Sequence, residues 1–271
     1  MNDSNTKYGP WALVTGANSG IGAAFAENLA TQGYNLVVVG RRADATQEKA
    51  DQLAQAYSVE TRAIVVDLSA PDFLSQIVEQ TSDLDVGLLV SNAGDDAMGA
   101  MLRVELEKLT QMLRLNTQTH LELTHQFGRR FEKRGSGGIV LVSSTAGLQG
   151  TPFLGNYAGS KAYLLNIGMA LNYEMRGTGV DVTVLLPGPT KTPGLLEKPA
   201  IAIHTLPAPQ MSAMVVAKIR LRALAKNKPF VVAGRMNRMM ASIGTMFGKI
   251  QARNMWGALM KDVVPAELRI R

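Results

Sequence analysis

Tyr157 and Lys161 stand four residues apart in a stretch of helical spacing, so they share one helix face. A free phenol titrates near about 10, too high for easy proton transfer at neutral pH. A neighbouring ammonium favours the phenolate and lowers that value. A tyrosine tuned in this way can give its proton to a carbonyl oxygen as a hydride reaches the carbon. Ser144, thirteen residues earlier and just past an apolar run, can hydrogen-bond the same oxygen. Read alone, the Tyr/Lys pair is a common surface spacing; with Ser144 it becomes a candidate catalytic set.

A second set lies near the N-terminus. The run Trp11–Thr15 leads into Thr15-Gly16-Ala17-Asn18-Ser19-Gly20-Ile21-Gly22, and helical spacing follows. Gly16, Gly20 and Gly22 permit a tight turn, close approach to a pyrophosphate and packing of helix on strand. The helix N-terminus offers free N–H groups to phosphate. The next apolar run ends Val39-Gly40-Arg41-Arg42, where an acidic residue would hold the ribose hydroxyls of NAD. Arginines there pair with a 2′-phosphate, which a carboxylate would repel, and the reading is NADP(H). Asp67, followed by Leu68, can accept from an adenine amine or cap the following helix.

These residues need a frame. Short β-branched runs occur at Trp11–Thr15, Leu36–Val39, Ala63–Val66, Leu88–Val90, Ile139–Val142, Val182–Leu186 and Phe230–Val232. They are continuous, as in strands buried on both faces of a parallel sheet. Helical spacing predicts helices over about 20–32, 45–57, 71–82, 103–134, 154–177 and 212–227. The alternation implies right-handed βαβ units in a doubly wound α/β fold, a seven-stranded parallel sheet flanked by helices. Residues 189–210 hold five Pro and little periodicity, and read as a loop closing over the site as a lid. Apolar residues from Met236 to Trp256 keep i, i+3, i+4, i+7 spacing, which predicts an amphipathic C-terminal helix over 236–256. The organisation is then one catalytic domain over 1–235 and a basic helical extension over 236–271.

Composition narrows the chemistry. With no Cys among 271 residues, thiolate zinc sites, disulfides and cysteine nucleophiles are excluded. Three His make a multi-histidine metal site an unlikely economy for this chain, and no metal is expected. A hydrophobic share of 46% rules out a disordered chain. The net charge of +6 is unevenly spread, being −4 over residues 1–209 and +10 over 210–271. The positive charge is not interleaved with stacking aromatics, so nucleic acid is not an expected partner. Residues 1–10 lack a secretory apolar region and no run is long enough to span a bilayer, so the expected localisation is cytoplasmic.

Over residues 10–235 the sequence resembles the short-chain dehydrogenase/reductase family in its single-domain branch. The resemblance is carried by the glycine-rich turn, Asn92-Ala93-Gly94, Asn116, Ser143-Ser144, Tyr157-Ala158-Gly159-Ser160-Lys161, and Pro187-Gly188 with Thr190 and Thr192. It implies a Rossmann-like fold and a catalytic set of Asn116, Ser144, Tyr157 and Lys161. Lys161 would also hold the nicotinamide ribose, and Asn116 would position a water in a proton relay. The implied cofactor site is Gly16, Asn18, Ser19, Gly20, Ile21, Gly22, Arg41, Arg42, Asp67, Leu68, Asn92, Ala93, Gly94, Tyr157, Lys161, Pro187, Gly188, Thr190 and Thr192. Thr190 and Thr192 would contact the nicotinamide amide or the phosphates. Family members often carry Asn where Ser91 stands. They are often dimers or tetramers built on the helices containing Asn116 and Tyr157.

The expected activity is NADPH-dependent reduction of a ketone or aldehyde. Apolar Leu195, Leu196, Ile201, Ile203 and Leu206, with Phe153 and Leu154, suggest a hydrophobic pocket for a medium or bulky carbonyl compound or its alcohol. His204 reads as a solvated loop residue. An NADP(H)-sensing protein without turnover is the alternative, although a tuned phenol serves no purpose in a sensor. An epimerase or dehydratase would need a larger C-terminal substrate domain. The basic C-terminal helix can pack on its own body, on a second subunit or on an anionic membrane surface.

Overall fold

The apolar runs form parallel strands because each is apolar on both faces and bounded by turn residues. The computed structural model describes residues 7–193, 210–261 and 263–270, without the side chains of residues 220 and 243–247. Its strands are β1 (Trp11–Thr15), β2 (Asn35–Gly40), β3 (Thr61–Val65), β4 (Val86–Ser91), β5 (Gly137–Val142), β6 (Val180–Leu186), β7 (Thr190–Lys191), β8 (Met211–Ser212) and β9 (Phe230–Val232). Seven of them form one parallel sheet in the order β3-β2-β1-β4-β5-β6-β9, and β7 pairs with β8 beside it. In-register pairs such as Leu13↔Val37 and Leu141↔Val184 keep alternate side chains on the same face.

Two apolar layers enclose the sheet. On one face Val14, Val38 and Val90 pack with Phe25 and Leu29 of α1 (Gly20–Ala30), Leu53 of α2 (Ala43–Tyr57), and Val216 and Leu224. On the other face Leu13, Val37, Leu89 and Leu141 pack with Phe73 and Ile77 of α3 (Phe73–Gln80) and with Leu123, Phe127 and Phe131. The remaining helices are α4 (Leu106–Leu113), α5 (Thr119–Arg134), α6 (Gly155–Glu174), α7 (Ala213–Leu224), α8 (Arg235–Phe247) and α9 (Lys249–Lys261). The strand order reverses between β1 and β4, and there the C-terminal strand ends open a crevice.

The structure differs from the sequence expectation in two places. The helix expected over 103–134 is α4, a π-turn at Arg114–Gln118, and α5. The turn carries Asn116, whose side chain bonds the backbone of Asp95, so tertiary contact overrides helical periodicity. The single helix expected over 236–256 is two, because Gly248 takes a left-handed φ of 84° between α8 and α9. Phe153 and Leu154, expected in a substrate wall, also pack against Met260, Val263 and Val264 from the C-terminal end, a contact the sequence pattern did not indicate. Much of the lid expected over 189–210, including Leu195, Leu196, Ile201, Ile203, His204 and Leu206, lies outside the described residues. Among the described residues no helix is long and apolar enough to cross a membrane.

The segment before β1 is fastened to the far side of the sheet. Tyr8 donates to Asp181 Oδ2 at 2.6 Å at the start of β6, and Lys7 ion-pairs the same oxygen. Burial and this carboxylate both push the Tyr8 phenol above its ordinary range. Tyr8→Phe leaves a buried acceptor with only a surface partner and should cost about 1–3 kcal/mol. Urea unfolding checks this, and an unchanged midpoint would refute it.

Candidate active site

Parallel strands deliver their last residues to one edge, and β1, β4, β5 and β6 end here. Ser144 follows β5 and caps the 3-10 turn Thr145–Leu148, its Oγ accepting from Ala146 N at 3.2 Å. Tyr157 and Lys161, one turn apart on α6, face this strand end. Ser144 is near enough to Tyr157 to pull its phenol down, and Lys161 Nζ lies 5.7 Å from the Tyr157 ring centroid. The three side chains are therefore brought together. The fit of α6 is fixed from below, because Ser143 Oγ donates to Lys161 O at 2.6 Å.

The electrostatics depart from the sequence expectation. Tyr157 is pushed up to about 12, first by desolvation, with Ser144 pulling it down and Asp96 raising it. Lys161 does not lower it here, since the ammonium is turned to the Val142 carbonyl at 3.1 Å. Lys161 is itself buried and its value falls from near 10.5 to about 8. Desolvation disfavours the charged ammonium.

Asn116 lies in the π-turn and is fully buried. It accepts from Asp95 N at 2.9 Å and donates to Asp95 O at 2.8 Å and Ser160 Oγ at 3.2 Å. Asn92 donates to Thr15 O at 2.9 Å, which ties β4 to the glycine-rich turn. Ala93 and Gly94 follow on the same wall, beside Asn116 and Lys161.

The turn after β1 has the dimensions of a phosphate cradle. Gly16 and Gly20 have φ of 65° and 57°, and a Cβ on Gly22 would come 2.1 Å from Gly16 O. Ser19 caps α1 without a side-chain bond, so the helix N-terminus keeps donors for an anion. Ile21 packs on the core beneath. Asn18 donates to Thr46 Oγ1 at 3.4 Å. That contact lies directly over Gly40, where a Cβ would meet Thr46 Oγ1 at 2.5 Å and Asn18 Nδ2 at 2.9 Å. A side chain at the end of β2 would therefore require Thr46 and Asn18 to shift. Arg41 and Arg42 are exposed at this corner.

Asp67, expected to meet an adenine amine or cap the following helix, bonds Ser69, while the N-cap of the helix itself is Asp72. The Asp67 Oδ1 accepts from Ser69 N at 2.9 Å and Ser69 Oγ at 2.6 Å, capping the turn before α3. These bonds, with Arg41 nearby, hold its carboxyl below the usual range. Leu68 is buried and its carbonyl accepts from Thr119. Across the crevice, Pro187 O accepts from Thr145 N at 3.0 Å, and Gly188 packs against the Asn237 amide. Thr190 turns back to Gly188 O at 2.9 Å, while Thr192 reaches the glycine turn, 3.1 Å from where a Gly20 Cβ would stand.

Sequence reasoning missed several residues here. Asn237, Met240 and Trp256 of the C-terminal helices line a small cleft with Thr145, Gln149 and Pro189, so the extension closes one side of the site. Thr15 accepts from both Asn92 N and Ala93 N. His120 stands four residues after Asn116, a spacing that could have flagged it.

Comparison with known proteins agrees with this geometry. Residues 10–200 match the family model described as short chain dehydrogenase. The 7beta-hydroxysteroid dehydrogenase of Clostridium sardiniense is 37% identical over 191 residues, covering 70% of this chain and 73% of that one. A 7beta-hydroxysteroid dehydrogenase structure, 30% identical, superposes with a TM-score of 0.85 over 96% of this chain and 100% of its own. A short-chain dehydrogenase from Sphingobium yanoikuyae in complex with NADPH gives 0.79 at 28% identity, over 95% and 97% of the two chains.

Burial of Lys161 carries a pH signature. The unfolded chain holds its proton up to near 10.5, the folded one to about 8, so stability rises with pH between those values. Lys161→Met removes the buried cation. The variant should melt higher than the native protein below pH 8, with the gap closing as pH approaches 10.5. Calorimetry across that window checks this, and a gap that widens with pH would contradict it.

Proposed function

The chain belongs to the short-chain dehydrogenase/reductase family, and on that premise we propose that it reduces a bulky hydrophobic ketone or aldehyde with NADPH. The observation that carries the reading is the convergence of Ser144, Tyr157 and Lys161 beside a glycine-lined phosphate cradle. The nicotinamide supplies or takes the hydride when bound. Ser144 orients the substrate oxygen, and Tyr157 gives it a proton. Lys161, whose ammonium here donates to the Val142 carbonyl, would hold the nicotinamide ribose and, on turning from that carbonyl toward the phenol, would favour proton release. Asn116, through the Asp95 backbone, keeps the wall beside Lys161 in place and lines the proton path.

NADP(H) preference is supported by the arginine corner. Residue 40 is a glycine crowded by Thr46 and Asn18, with no ribose-binding acid, while Arg41 and Arg42 stand exposed where a 2′-phosphate would lie. The pyrophosphate would rest on Gly16, Asn18, Ser19, Gly20, Ile21 and Gly22. Leu68 and the Asn92-Ala93-Gly94 wall would border the adenosine and ribose, and Pro187, Gly188, Thr190 and Thr192 the nicotinamide and phosphates. The substrate class draws on the hydroxysteroid relatives and on the apolar Met240 and Trp256 beside the site. We place the protein in the cytoplasm as a homodimer or homotetramer. Exposed Leu106, Leu113, Leu121, Met169 and Tyr173 on α4, α5 and α6 support an assembly built on those helices.

Tyr157→Phe should lower kcat about 100-fold or more while NADPH binding, read by fluorescence titration, stays within about twofold. Retained turnover would defeat the proton-donor role. NADPH binding without oxidation across a panel of steroid and aliphatic ketones would make the protein a cofactor sensor. Arg41→Asp should cut the NADPH-over-NADH ratio of kcat/KM by roughly tenfold or more. An unaltered ratio would remove the 2′-phosphate assignment.

A further inference from the structure

His120 is a fully buried titratable group for which the proposed reaction has no direct use. Its Nε2 lies 2.8 Å from Ala93 O, and its Nδ1 lies 2.7 Å from Ser91 Oγ. A carbonyl only accepts, so Nε2 carries the hydrogen. Nδ1 is then the acceptor for the Ser91 hydroxyl. Burial and the Lys161 charge hold the imidazole down to about 3, which keeps it in this neutral tautomer.

The carbonyl it grips belongs to the segment that walls the site. Asn92 N and Ala93 N both donate to Thr15 Oγ1, at 2.9 and 3.0 Å. Asp95 N and O are both taken by Asn116. His120 thus fastens the middle of a strap whose two ends are tied to β1 and to the π-turn. Between its anchors sits Gly94, and a Cβ there would stand 3.1 Å from Asn116 Oδ1 and 3.2 Å from Lys161 Nζ. A small drift of this strap would therefore intrude on both side chains. Ser91 suits the arrangement because a longer side chain pointing the same way would meet the imidazole ring.

We propose that Ser91 and His120 form a positioning pair that sets the Asn92-Ala93-Gly94 wall at the distance the cofactor requires. The proposal rests on the reading that this wall faces the nicotinamide cofactor. The pair touches neither cofactor nor substrate and acts through the Ala93 carbonyl.

His120→Leu keeps the bulk and deletes both hydrogen bonds. Steady-state kinetics should show KM for NADPH raised about tenfold, with a smaller change in kcat. His120→Gln can still donate to Ala93 and accept from Ser91, and should return KM to within about threefold of native. Nitrogen NMR of the native protein at pH 7 should show the neutral Nε2–H imidazole. A native KM in His120→Leu accompanied only by a lower melting temperature would overturn the proposal, as would an Nδ1–H or doubly protonated ring. If His120→Leu does not fold, Ser91→Ala is read in its place, with KM expected to rise about threefold and an unchanged KM overturning the proposal. Absence of NADPH binding by the native protein would overturn the functional reading and this inference together, whereas a native-like KM in His120→Leu or, where that does not fold, in Ser91→Ala would overturn this inference alone.

Discussion

An ammonium buried at the end of a parallel sheet must find oxygen, and the Lys161 amine finds it in the Val142 carbonyl. The surroundings are arranged around that charge. Gly94 has no side chain where one would crowd the ammonium, Asn116 turns its carboxamide to the Asp95 backbone, and His120 stays neutral beside it. A group held in this way is unstable for the fold and useful for chemistry, since its proton is held loosely and its position is determined by α6. Tyr157 is subject to the opposite pressure, desolvation keeping its phenol protonated. Desolvation thus favours the neutral form of both groups, within one turn of helix.

At the other end of the crevice the governing constraint is space. Thr46 and Asn18 meet over the end of β2 and crowd residue 40, where any side chain would have to displace them. The choice of cofactor that we propose begins with that contact, because it disfavours an acid there before the arginines add their attraction. The same economy recurs at Gly22, packed on the carbonyl of Gly16. Both closures bring backbone toward the place where a pyrophosphate would lie.

The C-terminal extension gives the charge asymmetry a structural setting. Its helices dock on the body, burying Ala252, Met260, Val263 and Val264 and placing Asn237, Met240 and Trp256 at the mouth of the site. Docking on the same chain was one of the three arrangements open to a basic amphipathic segment. Met236, Met239 and Ile250 remain exposed, with Arg235, Arg238, Lys249 and Arg253 exposed around them. The extension is therefore both part of the active-site rim and a basic outer surface.

Much was legible in the sequence because it depends on local pattern. Continuous apolar runs foretold all seven strands of the main sheet, and the i, i+4 spacing of Tyr157 and Lys161 foretold their common face. The glycine-rich turn was readable because a left-handed φ at Gly16 and Gly20 is a property of residue type. What escaped was everything decided by contacts between distant segments. The break at Arg114–Gln118 arises because Asn116 bonds a loop twenty-one residues away. The packing of Phe153 and Leu154 against the C-terminal end joins segments more than a hundred residues apart. Tyr157 and Lys161 titrate as they do chiefly because of desolvation, which is set by the whole surrounding fold. The sequence by itself determined which groups reach the sheet edge, since strand and helix periods are written in residue type. Only the tertiary structure decided which carbonyl each group faces, because hydrogen-bond partners are chosen by packing across the chain.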